Sequence, residues 1–157
     1  EWEYAAKAYI ENREYNSIRG RKKYSWNGET TRETSRRYKG DQMANFKQGK
    51  GDYSGLAGWS NDGADITMRI KSYKPNAFGL YDMHGNVAEW TNDLYAVYPG
   101  ASDKSVTDPT GPLEGGHYVI RGAGWRHGNI TELRLSFRDY GARARDDVGF
   151  RIARYAE

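Results

Sequence analysis

Apolar positions recur at helical spacing only near the start of this chain. In Glu1-Trp2-Glu3-Tyr4-Ala5-Ala6-Lys7-Ala8-Tyr9-Ile10, the residues Trp2, Ala5, Ala6, Tyr9 and Ile10 fall near one face, which predicts an amphipathic helix. No N-cap residue precedes it, so the chain reads as starting in mid-pattern, a fragment or processed product whose N-terminal part is missing. From 11 to 39 the pattern dissolves into Arg, Lys, Glu and Asn, anchored by Tyr15, Ile18, Tyr24, Trp26 and Tyr38. That stretch is either a partner-binding surface or a solvated loop carrying a short strand over 24–26. Residues 118–122 are β-like, 133–138 alternate apolar and polar, and 148–154 alternate again, which predicts three short strands. Residues 94–116 carry Pro99, Pro109 and Pro112 and read as an irregular surface loop. Short strands between long loops, preceded by a helix, predict an α+β domain.

Composition sharpens this picture. At 157 residues without a long linker, the chain is the size of one domain spanning 1–157. Its 13 Tyr and 5 Trp make a core of amphipathic rings whose OH and NH groups need partners, and its 19 Gly favour loops over regular structure. The formal charge of +3 comes from interleaved acidic and basic residues, so no nucleic-acid partner is expected. The absence of cysteine excludes disulfides, thiolate nucleophiles and thiolate-bound zinc or copper, and leaves the redox compartment open. No apolar run approaches the roughly twenty residues of a membrane-spanning helix, so no transmembrane segment is expected.

Two stretches carry candidate chemistry. Residues 78–90 pack Asp82, Asn86, Glu89 and two glycines among apolar side chains, and burying such groups costs several kcal/mol unless they are paired. Asp82 and Glu89 offer anionic oxygens, and Gly85 lets the backbone turn its carbonyls toward the same point, as a calcium ion requires. A tight turn with solvated carboxylates explains the same residues, and both readings stand at this point. The second stretch opens at Asn45-Phe46 and passes through closely spaced glycines to Asn61-Asp62-Gly63-Ala64-Asp65. It could gather side-chain and carbonyl oxygens around one ion, or simply make turns. Its spacing is not that of an EF-hand.

Three ordered segments resemble the formylglycine-generating enzyme (sulfatase-modifying factor) family. They are residues 1–6; Asn76-Ala77-Phe78-Gly79-Leu80-Tyr81-Asp82-Met83-His84-Gly85-Asn86-Val87-Ala88-Glu89-Trp90; and Ile120-Arg121-Gly122-Ala123-Gly124-Trp125 together with Val148-Gly149-Phe150-Arg151. The resemblance implies a C-type-lectin-like fold with little regular secondary structure, stabilised by two calcium ions. One ion would be held by the Asn45 and Asp62 side chains and the Phe46 and Ala64 carbonyls. The other would be held by the Asp82 and Glu89 side chains and the Gly85 and Val87 carbonyls, with Asp82 where some members have Asn. The family's catalytic residues do not carry over. Just beyond the Trp125 position the enzymes place two cysteines that bind copper, whereas this chain continues Arg126-His127-Gly128-Asn129-Ile130-Thr131-Glu132. A thiolate pair selects Cu(I), and a lone His does not replace it, so no copper and no copper-dependent oxidase activity are expected.

The face that holds substrate in relatives would here carry Trp125, Arg126, His127, Glu132 and Arg138, as a surface for a protein or small-molecule ligand. His127 could be a general base or, with His117, a metal ligand for a different oxidase; it could equally be a polar loop residue. The arginines 138, 143, 145 and 151 against Asp139, Asp146 and Asp147 could form an anion pocket or a structural ion-pair network. Residues 32–65 also resemble the gliding-motility and type IX secretion lipoproteins, non-enzymatic members of the family. That resemblance favours an extracytoplasmic site, in the periplasm or on the outer membrane. The leading expectation is a calcium-stabilised binding or structural module without the copper chemistry.

Overall fold

Strand β1 (Ala88–Leu94) sits at the centre of a four-stranded mixed sheet. In the computed structural model, which describes residues 1–9, 22–26, 28, 30–47, 64, 66–98, 107 and 109–154, β1 pairs antiparallel with β2 (Tyr118–Arg121) and parallel with β4 (Val148–Phe150). Strand β3 (Asp139–Gly141) extends the other side of β2, giving the order β3-β2-β1-β4. The register sets Glu89 opposite Arg121 on one neighbour and Gly149 on the other.

The helix α1 (Trp2–Lys7) is shorter than its periodicity suggests. It ends because Ala8 adopts a left-handed conformation, and the Ala8 N–H returns to the Tyr4 carbonyl as a C-terminal cap. Its inward face is as expected: Ala6 is buried, while Trp2 and Ala5 pack with Leu80 against Met83 and Leu135. A second cluster joins Tyr24, Ala44, Phe46, Ala123 and Leu133, with Trp26 alongside. Ile120, fully buried on β2, belongs to the sheet itself.

Three expectations from patterning are corrected here. Residues 24–26 form bends, and Tyr24 stacks face to face on Trp26 with ring centroids 4.9 Å apart. Residues 133–138 keep the period-two burial of a strand, with Leu133 and Leu135 inside, but their backbone N–H groups turn to Asn129, Lys23 and Arg134 instead of a neighbouring ladder. The third strand is β3, immediately after them. In 148–154 only Val148–Phe150 pairs, and Phe150 and Ile152 point outward. The α+β class and the scarcity of regular structure hold. No described helix is long and apolar enough to cross a membrane.

Candidate functional site

The turn before β1 is a junction where three remote segments meet. The Asn86 N–H donates to the Asn45 carbonyl (2.7 Å), the Gly85 N–H to the Gly122 carbonyl (2.9 Å), and the Trp125 N–H to the Asn86 carbonyl (2.9 Å). Gly85 has φ +78, and a Cβ there would lie 2.4 Å from the Asn45 carbonyl oxygen, so the approach needs glycine. Asn86 is also left-handed, a conformation Asn tolerates better than most residues. Its side chain brackets Met68, accepting from the Met68 N–H (2.9 Å) and donating to the Met68 carbonyl (3.2 Å). Asn45, almost fully buried, donates from Nδ2 to the Ile66 carbonyl (2.8 Å). Two amides thus dock residues 66–68 onto the turn. The clamping role of Asn86 was missed in the sequence; its signal was an Asn directly after the turn glycine.

The two expected calcium sets fare differently. Asn45 fits a ligand role in part: its Nδ2 is held by Ile66, and its Oδ1 accepts from no described residue. Phe46 is buried beside it and Ala64 is half-buried, while Asp62 lies outside the described residues. The Glu89 set does not fit. Glu89 Oε1 accepts from Arg151 Nη2 (2.7 Å) and Nε (3.1 Å), and Oε2 accepts from Trp2 Nε1 (2.8 Å). Its carboxylate, almost fully buried, is already neutralised by a guanidinium. Asp82 Oδ2 accepts from the Lys71 N–H (2.8 Å), and Gly85 and Val87 belong to the turn and to the approach of β1.

The expected ligand face divides in two. The Arg126 guanidinium lies 4.8 Å from the centre of the Trp125 ring and pairs with Asp146 (2.6 Å), both ions well exposed. Glu132 Oε2 accepts from the Asn129 N–H (3.3 Å), closing a local turn. His127 Nδ1 accepts from the Gly124 N–H (3.0 Å), and its own backbone N–H returns to the Gly124 carbonyl (2.9 Å). A neutral imidazole held this way carries its proton on Nε2, which then offers a donor and no lone pair. That geometry opposes both the general-base and the metal-ligand roles weighed for His127. His117 precedes β2 while His127 follows it, so they sit at opposite ends of that strand. Among the described residues no three His, Cys, Asp or Glu side chains converge on a point where a metal could sit. Arg138 is not with this group: it lies over Tyr95 and Tyr98 and donates to the Ala96 carbonyl (3.0 Å).

The basic and acidic residues near the C-terminal end pair with one another. Arg145 takes Asp147 in a two-point contact (2.8 and 3.0 Å) and Asp139 at 2.6 Å, and its hydrogen bonds hold the Asp147 carboxyl below the usual range. The network reading therefore describes Arg145 and Arg151 better than an anion pocket. His84 packs edge-on to Tyr24 and Trp26, as expected of a packing residue. Burial pushes its pKa down to about 4, opposed by a contact with the Leu133 backbone, and neither ring nitrogen has a hydrogen-bond partner among the described residues. A cavity of about 490 Å³ lies beside it, lined by Trp26, Tyr38, Gln42 and Tyr73 among others, and none of the five expected ligand-face residues lines it.

A small mixed sheet, one short helix and a polar turn that gathers distant loops define a loop-dominated α+β domain. Residues 1–156 match the family described as the sulfatase-modifying factor enzyme 1-like (FGE-sulfatase) domain, and the chain belongs to that family. It is 34% identical to the formylglycine-generating enzyme of Streptomyces coelicolor over 80% of its own length and 34% of the enzyme's. It is 30% identical to the mouse enzyme over 80% of the chain and 28% of that protein. Among solved structures it is similar to Treponema denticola variable protein 1 (TM-score 0.61, 28% identity, 96% of this chain and 43% of that one). It is also similar to PvdO from Pseudomonas aeruginosa (TM-score 0.60, 27% identity, 95% and 48%). The chain spans about a third of the length of the enzymes it matches. The fold is that of the formylglycine-generating enzyme family, and the chain has no cysteine with which to bind copper as the resemblance requires.

Proposed function

We propose that this domain is a binding module of the formylglycine-generating enzyme family, without the copper-dependent oxidation, whose working surface is the loop 125–132. The observation that carries the reading is His127: it stands in the region that holds the cysteines in the enzymes, and its Nδ1 is occupied by the Gly124 N–H of its own loop. The His127 and Glu132 side chains close on backbone groups of the loop, and the exposed Arg126 guanidinium caps a half-buried Trp125 indole. Such a surface suits a protein or small-molecule ligand with an acidic or aromatic group. The solved relative named as a variable protein supports the view that this fold is used outside the enzymes. A role within an extracytoplasmic lipoprotein assembly is the finer proposal; it rests on the resemblance of residues 32–65, part of which lies outside the described residues.

We further propose that calcium pins the 44–46 segment through Asn45, Asp62 and the carbonyls of Phe46 and Ala64. Oxygen ligands from a side-chain amide, a carboxylate and two carbonyls are of the type calcium takes, and the ion would fix the loop on which Asn45 stands. Elemental analysis of purified protein, with and without His127→Ala, tests both parts. Calcium alone, lost in Asn45→Ala, is the expected result. Stoichiometric iron or copper that disappears with His127→Ala would instead establish the rival metal-dependent oxidase.

A further inference from the structure

We propose that the Arg151 guanidinium is the resident cation of the 81–89 turn, so that this domain closes without a metal ion where the family resemblance implies its second calcium. Four oxygens of the turn face one side chain. Arg151 Nη2 donates to Glu89 Oε1 (2.7 Å) and the Tyr81 carbonyl (2.9 Å), and lies 3.5 Å from the Asp82 carbonyl; Nε lies 3.1 and 3.3 Å from the two Glu89 oxygens. This is the work a cation does in such a turn, done by a planar group with several fixed donors that keeps its charge at any working pH.

The strand register explains how Arg151 reaches the turn. Gly149 is opposite Glu89 in the parallel β1–β4 pair, and Arg151 follows two residues later, on the same side of the strand's continuation. Gly149 presents no side chain there, and a Cβ at that position would crowd Val87 at 3.2 Å. The second Glu89 oxygen and the neighbouring Glu3 are also matched. The Trp2 indole N–H takes Glu89 Oε2, and Arg121, which stacks over the same Trp2 ring at 5.3 Å, turns its charge to Glu3 (2.6 Å). Glu3 and Glu89 are therefore matched by Arg121 and Arg151, with Lys7 also on Glu3, and no negative charge is left over among these groups to attract a divalent ion. Asp82, the other carboxylate of the set, uses Oδ2 to hold the Lys71 N–H.

The proposal is independent of calcium at Asn45, and a count of bound metal separates the two. Calcium is titrated into the chelator-stripped full chain, and bound ions are counted by elemental analysis for the parent, Glu89→Gln and Asp82→Asn. At most one equivalent is expected in the parent, with the number unchanged in both variants. A second equivalent in the parent that either variant loses would overturn the assignment. If Glu89→Gln fails to fold, Asp82→Ala, counted in the same way, decides alone, because it removes the side-chain oxygen that Asn would keep for an ion. An equivalent lost only in Asn45→Ala belongs to the other centre, and no calcium at all would remove the Asn45 reading while upholding the Arg151 assignment.

Discussion

Two polar turns of similar length lie side by side in this domain, one over 82–89 and one over 125–132, and their side chains bond in opposite ways. From the first, Glu89 reaches Trp2 and Arg151, 87 and 62 residues away, and Asn86 holds Met68 across 18. In the second, His127 and Glu132 close on backbone groups 3 residues away and Arg126 on a carboxylate 20 away. The first turn therefore joins segments that have no other reason to meet, and in a fold this poor in secondary structure it bears much of the tertiary organisation. The side chains of the second close mostly on the loop itself, while its backbone is held by the Trp125 N–H on the Asn86 carbonyl and the Lys47 N–H on the His127 carbonyl. A turn of the first kind resists substitution, whereas one of the second kind can change residues without unfolding the domain, which suits a recognition surface.

The largest effect should come from Gly85→Ala. The new Cβ would meet the Asn45 carbonyl at 2.4 Å on a backbone of positive φ. Left-handed conformation costs an L-residue about 1–2 kcal/mol and overpacking about 1–3 more, so a loss of roughly 2–5 kcal/mol is expected by urea denaturation. An equally large loss from Ile130→Ala or Thr131→Ala, both exposed in 125–132, would erase the contrast. Arg151→Ala comes next. It strands the nearly buried Glu89 carboxylate with only the Trp2 N–H, but Arg151 itself is about a third exposed, so the usual cost of breaking a buried pair is reduced to roughly 2–4 kcal/mol. A change in Trp2 emission should accompany it, because the indole is hydrogen-bonded to the same carboxylate.

A third measurement probes the first turn by pH. His84 lies inside it, and its pKa falls from an ordinary 6.5 to about 4 on folding because burial disfavours the charged ring. Between those values the unfolded chain binds the proton and the folded one does not, so stability is fully present above pH 6.5 and declines as pH falls toward 4. The decline should approach about 3 kcal/mol at pH 4, because a tenfold change in proton affinity between the folded and unfolded chain is worth about 1.36 kcal/mol. His84→Gln should flatten the urea midpoint across that interval. A parent profile already flat there would mean that His84 finds a partner in the folded protein.

How much of this was legible in the sequence follows the same division. The helix face of Ala5 and Ala6, strand β2 and the crowding of polar with apolar residues over 78–90 could be read because each depends on local pattern. The alternation at Leu133 and Leu135 was also read correctly as burial, but a strand needs a neighbour to pair with, and the backbone there had other acceptors. Past Gly149 the alternation is lost altogether, with residues 150–154 all exposed and Phe150 and Ile152 uncovered, since the sheet ends at β4 and nothing described covers that side. The need of Glu89 for a positive partner was legible too. Whether that partner is a metal ion or Arg151 depends on a parallel register between strands about sixty residues apart, which no local pattern encodes.

The smallest effect on stability is expected at Arg126, and it tests the comparison from the other side. Its pair with Asp146 is exposed at both ends, and such pairs contribute between nothing and about 1 kcal/mol because water and salt screen the charges. The stacking on Trp125 adds about 0.5–1 kcal/mol at an exposed site, part of which an unpaired Asp146 regains in solvation. Arg126→Ala should therefore change unfolding stability by no more than about 2 kcal/mol, and raising salt should shrink the difference further. If 125–132 is the working surface, the same substitution should weaken capture of the partner that the parent retains, while Asp82→Asn leaves capture unchanged. A variant that unfolds would show that Arg126 belongs with the first turn after all; one that is stable and binds as before would move the working surface elsewhere on the domain. Only a stable domain with weakened capture is what a recognition loop whose exposed side chains play little part in securing the fold should give.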